Sequence, residues 1–234
     1  MRRSRRTGRK SCSRIGTTGS EMEDFGFYLV MTNPKVGYEA CAEAAVRAGV
    51  KMLQLRMKHA AREEILSVAR RIRALTRGTE TAFIVNDDPA IAAEAGADGV
   101  HVGQDDMPVA EVRARYPELR IVGLSTHNLE QARAAAAAEG AARPDYVGVG
   151  PVYATPTKDI PDPVLGPVRA GEMIAAVPFP AVAIGGINLE TLPAVKAAGA
   201  RNFAVVRPVC GAADPYAAIC ALQCAFGPSV PGLK

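Results

Sequence analysis

Gln54, Arg56 and Lys58 stand two residues apart, with Leu55 and Met57 between them. In an extended chain, side chains alternate between faces. The three polar groups therefore share one face and the two apolar ones take the other. A guanidinium, an ammonium and an amide aimed into a protein interior are costly to bury unless an anion meets them. The run reads as an anion clamp. Further along, Asn86-Asp87-Asp88-Pro89 offers two carboxylates. Asp88 has a structural task, capping the helix that Pro89 would open; Asp87 is left without one. A second acidic run follows, His101-Val102-Gly103-Gln104-Asp105-Asp106. Acids at the ends of neighbouring parallel strands, about 4.8 Å apart, can share one cation. Oxygen ligands beside a phosphate suit Mg²⁺, which keeps several waters and takes only one or two carboxylates. Acids alone would say little, since loop Asp residues usually cap helices. Next to Arg56 and Lys58 they describe a metal-assisted diphosphate site.

The second half of the chain repeats the theme with different groups. In Gly123-Leu124-Ser125-Thr126-His127, Ser125 is either a ligand contact or a helix cap, and spacing does not choose between them. His127 has the chemistry of an acid/base, but no partner is visible near it, and it reads as a loop histidine. Thr155-Pro156-Thr157-Lys158 sets two hydroxyls around a rigid Pro and adds a cation, which makes a second anion clamp. At Gly185-Gly186 bare backbone can approach a ligand and offer N–H groups. Val206-Arg207 ends the last apolar run. The pattern is two anion sites around one pocket, a diphosphate and a monophosphate.

These residues need elements to hold them. Short aliphatic runs predict strands over 27–31, 52–56, 82–86, 99–102, 120–124, 146–150, 181–184 and 203–206. Ala-rich stretches of helical period predict helices over 38–48, 61–76, 89–95, 108–115, 129–139, 167–176, 189–198 and 214–225. Most strands are continuous apolar runs, as expected where both faces are covered. A Gly that ends a helix just before a strand recurs in "AGV", "AGADGV" and "AGARNF". Eight strand-then-helix units predict a single-domain (β/α)8 TIM barrel, whose chemistry belongs to the loops at the carboxyl ends of its strands. An open doubly wound sheet would carry G-x-G-x-x-G after its first strand, and that motif is missing. Every polar group named above falls at a predicted strand end.

The 234 residues suffice for one domain with a sizeable core, built from aliphatic side chains because aromatics make up 5% and Trp is absent. The formal charge of +4 is not spread evenly. Residues 1–24 hold seven Lys or Arg and three acids, while 25–234 carry equal numbers of both signs. The expected division is a basic, disordered arm over 1–24, a barrel over 25–227 and a short tail over 228–234. The arm also fits the composition of an organelle transit peptide, or a start counted too early with Met22 as the alternative. Five Cys form no C-x-x-C pair, so no oxidised scaffold is expected. No run approaches the roughly 20 apolar residues of a membrane-spanning helix. No basic surface interleaved with aromatics suggests nucleic acid. The expected location is the cytoplasm, with organelle targeting by 1–20 and homo-oligomer formation left open.

Taken together the motifs resemble the thiamine phosphate synthase family. The resemblance rests on Gln54-Leu55-Arg56-x-Lys58, Asn86-Asp87-Asp88, the run from Ala97 to Asp106, Gly123-Leu124-Ser125, the run from Asp145 to Pro151, Thr155-x-Thr157-Lys158 and Gly185-Gly186-Ile187. They occur in order, and the match as a whole runs from about residue 27 to 210. The resemblance implies a Mg²⁺-dependent transferase. Its substrates would be hydroxymethylpyrimidine diphosphate and hydroxyethylthiazole phosphate, and its products thiamine phosphate and diphosphate. It would place Gln54, Arg56, Lys58, Asn86, Ser125 and Lys158 on the pyrimidine diphosphate, together with Leu55 and Met57 of the same run. Arg56, Lys58, Ser125 and Lys158 would act in catalysis. Asp87 and Asp106 would hold Mg²⁺. Thr155, Pro156, Thr157, Gly186, Val206 and Arg207 would surround the thiazole phosphate. Two features depart from the family: Arg207 stands where a small Ser is common, and the basic arm has no counterpart. The alternatives are a thiazole tautomerase-like isomerase and a non-catalytic binding or regulatory barrel.

Overall fold

Eight parallel strands close on themselves in chain order, β1 pairing with β8 to complete the ring. The computed structural model describes residues 22–156 and 162–227. Its elements are β1 (Phe27–Met31), α1 (Tyr38–Arg47), β2 (Met52–Leu55), α2 (Arg62–Thr76), β3 (Ala82–Asn86), α3 (Pro89–Ala95), β4 (Gly99–Val102), α4 (Val109–Arg115), β5 (Ile121–Thr126), α5 (Leu129–Ala137), β6 (Tyr146–Val149), α6 (Gly166–Ala175), β7 (Ala181–Ile184), α7 (Leu192–Ala197), β8 (Asn202–Val205), α8 (Arg207–Cys210) and α9 (Pro215–Phe226). The expected (β/α)8 barrel is what the chain forms. Four strand ends differ from expectation: β2 stops at Leu55, β5 runs on to Thr126, β6 stops at Val149, and β8 stops at Val205. The last difference has a cause in the sequence. Pro208 donates no N–H and suits the first turn of a helix, so the chain leaves the sheet at Val206 and turns into α8, which the apolar pattern did not foretell.

Alternation along the strands builds two apolar layers. Tyr28, Val30, Met52, Ile84, Tyr146 and Val182 point inward and fill the barrel. Their neighbours Leu29, Leu53, Phe83 and Val147 point outward and pack under the helices. α2 shows the helix side of that contract, burying Leu66, Val68, Ala69 and Ile72 on one stripe.

The amino-terminal end of the barrel is held by acids that precede strands. Asp98 accepts from the Phe83 N–H at 3.0 Å and pairs with Arg73 and Arg120. Asp145 does the same before β6, accepting from the Val122 N–H at 2.6 Å and pairing with Arg113. Residues ahead of β1 close this end. Asn202 Oδ1 accepts from the N–H groups of Phe25 and Gly26, and Asn202 donates through Nδ2 to Asp24 at 2.7 Å. The Phe25 ring stands edge-on to Tyr28 and Tyr146, each 6.0 Å away between centroids. Of the expected arm, only 22–24 belong to the described residues, and the expected tail over 228–234 lies outside them.

Candidate active site

At the carboxyl ends of the strands the barrel opens into a cavity of about 1290 Å³. Gln54, Arg56 and Lys58 all line it, as their spacing predicts. Gln54 is the innermost, 3% exposed and still within β2. The Arg56 N–H donates to the Met31 carbonyl at 2.9 Å, extending the β1–β2 ladder one step beyond the strand. Leu55 and Met57 go the other way, into the layer under the helices. Their side chains do not line the cavity, because the period of two that aims Arg56 inward aims them outward.

Two carboxylates meet across the β3 and β4 ends. Asp87 follows β3 in a left-handed conformation, φ 65°, a region where Asp is among the better tolerated residues. Its N–H donates to the His101 carbonyl at 2.8 Å, so the turn is tied to β4. Asp106 accepts from the Gly103 N–H at 2.7 Å. The Asp106 carboxyl is pushed above the usual carboxylate range, by burial first and then by Asp87 beside it, against the pull of the Gly103 N–H and Lys58. Lys58 makes an ion pair with Asp87. Asp88 caps α3, accepting from the Ile91 N–H at 2.9 Å, which is the structural task expected of it. Among the described residues no three His, Cys, Asp or Glu gather into a ready-made metal cage. Two converging carboxylates beside cationic groups fit a Mg²⁺ that completes its shell with water and phosphate oxygens. A cation there would also relieve the repulsion that raises Asp106.

Beneath the mouth runs a hydrogen-bonded chain of side chains that sequence reasoning missed. Gln54 Nε2 donates to Tyr28 Oη at 2.7 Å, and Tyr28 Oη lies 2.9 Å from Tyr146 Oη. Tyr146 Oη is 3.0 Å from His101 Nδ1, and His101 Nε2 is 2.9 Å from Ser125 Oγ. His101, Gly123 and Tyr146 are register neighbours on β4, β5 and β6. Gly123 is what lets them meet: a Cβ there would come within 2.2 Å of the Tyr146 ring and 2.5 Å of His101 Nδ1. Burial pushes the His101 pKa down to about 4 and keeps the ring neutral at pH 7. Burial likewise raises both tyrosine hydroxyls above their ordinary range. Strand alternation placed Tyr28 and His101 facing inward and was the available signal.

The other side of the mouth is built from β6, β7 and β8. Asn86, Ser125, Thr155, Pro156, Gly186, Val206 and Arg207 line the same cavity as Arg56 and Lys58. Thr157 and Lys158 lie outside the described residues. Gly186 has φ 64°, and a Cβ on it would come 2.6 Å from Tyr153 Cβ, so only Gly lets the β6 and β7 ends approach so closely. Arg207 is exposed and opens α8 instead of ending a strand. His127 has the partners its sequence context hid: its Nδ1 lies 2.7 Å from the Gly150 carbonyl oxygen and 3.5 Å from Asp162 Oδ2.

A closed (β/α)8 barrel with cationic and acidic side chains gathered at the carboxyl ends of β2, β3 and β4 defines a barrel enzyme acting on small anionic molecules. The comparisons say which kind. A model of the thiamine monophosphate synthase family matches residues 27–209. The thiamine-phosphate synthase of Anaeromyxobacter dehalogenans is 46% identical over 80% of this chain and 82% of its own. That of Laribacter hongkongensis is 41% identical over 84% and 93%. The solved thiamine phosphate pyrophosphorylase of Pyrococcus furiosus superposes with a TM-score of 0.76 at 31% identity, covering 87% of this chain and 96% of that one. The chain belongs to the thiamine monophosphate synthase family.

Proposed function

We propose that this chain joins 4-amino-2-methyl-5-hydroxymethylpyrimidine diphosphate to 4-methyl-5-(2-hydroxyethyl)thiazole phosphate, giving thiamine phosphate and diphosphate. One observation carries the reading. In a chain of this family, Arg56, Lys58, Asp87 and Asp106 come from three separate loops to line one cavity. The C–O bond of the pyrimidine diphosphate breaks first, and its electron pair leaves with the diphosphate. The electron-rich aminopyrimidine stabilises the cation left on carbon. Arg56 and Lys58 offset the negative charge that grows on the departing oxygens, an electrostatic form of catalysis. Mg²⁺ held by Asp87 and Asp106 would supply further positive charge to those oxygens. The thiazole nitrogen then attacks with a lone pair it already has, so no protein nucleophile or strong base is needed. His127, turned toward Gly150 and Asp162, is not required to move a proton.

Gln54, Asn86 and Ser125 hold the pyrimidine half in this reading, and the resemblance adds Lys158. Leu55 and Met57 contribute backbone only. The thiazole phosphate takes the other side of the mouth, at Thr155, Pro156, Gly186, Val206 and Arg207, with Thr157 added by the resemblance. Both substrates are highly charged, and we place the reaction in the aqueous cytoplasm. Among the described residues no helix is long and apolar enough to cross a membrane. The test is to incubate purified protein with both substrates and with each alone. The reading expects thiamine phosphate and diphosphate in equal amounts, and neither when one substrate is withheld. Isomerisation of a thiazole substrate without joining would overturn it.

A further inference from the structure

The chain from Gln54 to Ser125 runs along the floor of the cavity, with Tyr28 and Tyr146 buried and His101 half-buried beside Ser125. Its direction can be worked out one hydrogen at a time. Gln54 gives an N–H to Tyr28 Oη. The hydrogen of Tyr28 then has one acceptor among the described residues, Tyr146 Oη. The Tyr146 hydrogen passes in turn to His101 Nδ1. A neutral imidazole that accepts at Nδ1 carries its proton at Nε2, so His101 donates to Ser125 Oγ. Ser125 Oγ is thereby occupied as an acceptor, and its own hydrogen turns to the cavity. Running the chain the other way would require the Gln54 amide to turn over, with Oε1 facing Tyr28 and its N–H groups facing the cavity, so the two ends can change polarity only together.

We propose that Tyr28, Tyr146 and His101 are positioning residues, a one-way hydrogen-bond chain that fixes Gln54 as an acceptor and Ser125 as a donor toward the pyrimidine diphosphate. This deepens the reaction proposed above and rests on Gln54 and Ser125 touching that substrate. The polarity suits the chemistry. An exocyclic amine donates, and meets Gln54 Oε1. Diphosphate oxygens only accept, and meet the Ser125 hydroxyl. A ring bearing a carbonyl in place of the amine would meet Gln54 oxygen to oxygen, and neither end could adapt without reversing the other.

Imidazole ¹⁵N NMR of the labelled protein without substrate reads the chain directly. The expected result for the native chain is His101 protonated at Nε2 and bare at Nδ1. In Gln54→Glu a carboxylate can only accept, so the Tyr28 hydrogen turns toward it, every bond reverses and the proton moves to Nδ1. In Tyr146→Phe combined with Gln54→Glu the chain is cut, and the tautomer no longer responds to position 54. Tyr28→Phe, which removes one oxygen without changing the packing, gives mixed His101 tautomers. It also raises KM for the pyrimidine diphosphate about 10-fold, the worth of one hydrogen bond, and leaves KM for the thiazole phosphate unchanged. A native His101 protonated at Nδ1, or a tautomer indifferent to both Gln54→Glu and Tyr28→Phe, overturns the proposal. If the native protein fails to join the two substrates, the proposed reaction falls, while the NMR result still decides the chain.

Discussion

Asp87 and Asp88 are adjacent and chemically identical, yet the fold gives them different work. Asp88 caps α3, whereas Asp87 is turned by its positive φ into the cavity beside Asp106. Asp87→Asn and Asp106→Asn should each lower kcat by orders of magnitude at a fixed Mg²⁺ level, because an anionic ligand is lost. Asp88→Asn should cost little, since Asn caps as well as Asp. Steady-state rates of the three variants check this, and equal damage in all three would contradict it. His101 supports a second expectation. Its folded pKa of about 4 lies below the ordinary value of 6.5, so the unfolded chain binds its proton first as pH falls. Stability from this group is full above about pH 6.5 and drains away toward pH 4, by up to about 3 kcal/mol. Urea unfolding at pH 7.5 and 4.5 should show a smaller acid loss in His101→Gln than in the native chain; identical losses would contradict the account. Gln54, Arg56 and Lys58 were legible because alternation is a local property of the chain. Tyr28 and His101 were not, since their partners come from strands as far as 118 residues away.

At the scale of elements, the strand ends matter more than the strands. Apolar runs marked all eight strands, and the periodic Ala-rich stretches marked their helices, since both patterns repeat within a few residues. α8 escaped because four residues are too short to show a period, and only Pro208 hinted at a turn. That short helix changes the reading of Arg207. Arg207 lines the cavity as the first residue of this helix, and we propose that its backbone N–H, not its exposed guanidinium, serves the phosphate. Arg207→Ser keeps that backbone N–H and should leave KM for the thiazole phosphate within about 2-fold of native. A rise of about 10-fold, the worth of one charge-assisted contact, would mean that the guanidinium binds the phosphate.

For the whole molecule, the barrel makes one site from residues scattered between Gln54 and Arg207, and Phe25 with Asp24 closes its far end. A chain beginning at Met22 keeps both of those residues. It should melt within about 2 °C of the full chain and retain its turnover, because exposed termini add little to a core. A clear fall in either would show that residues before 22 support the barrel. The account as a whole stands on charge at the mouth drawing diphosphate away from carbon. The most direct measurement follows thiamine phosphate formed from both substrates by the native chain and by Asp87→Asn, across a Mg²⁺ titration and after chelation with EDTA. The account predicts that EDTA stops the native reaction, that Mg²⁺ restores it, and that Asp87→Asn stays slow at every concentration. Unchanged turnover in EDTA, or an Asp87→Asn chain as fast as native at low Mg²⁺, would contradict it.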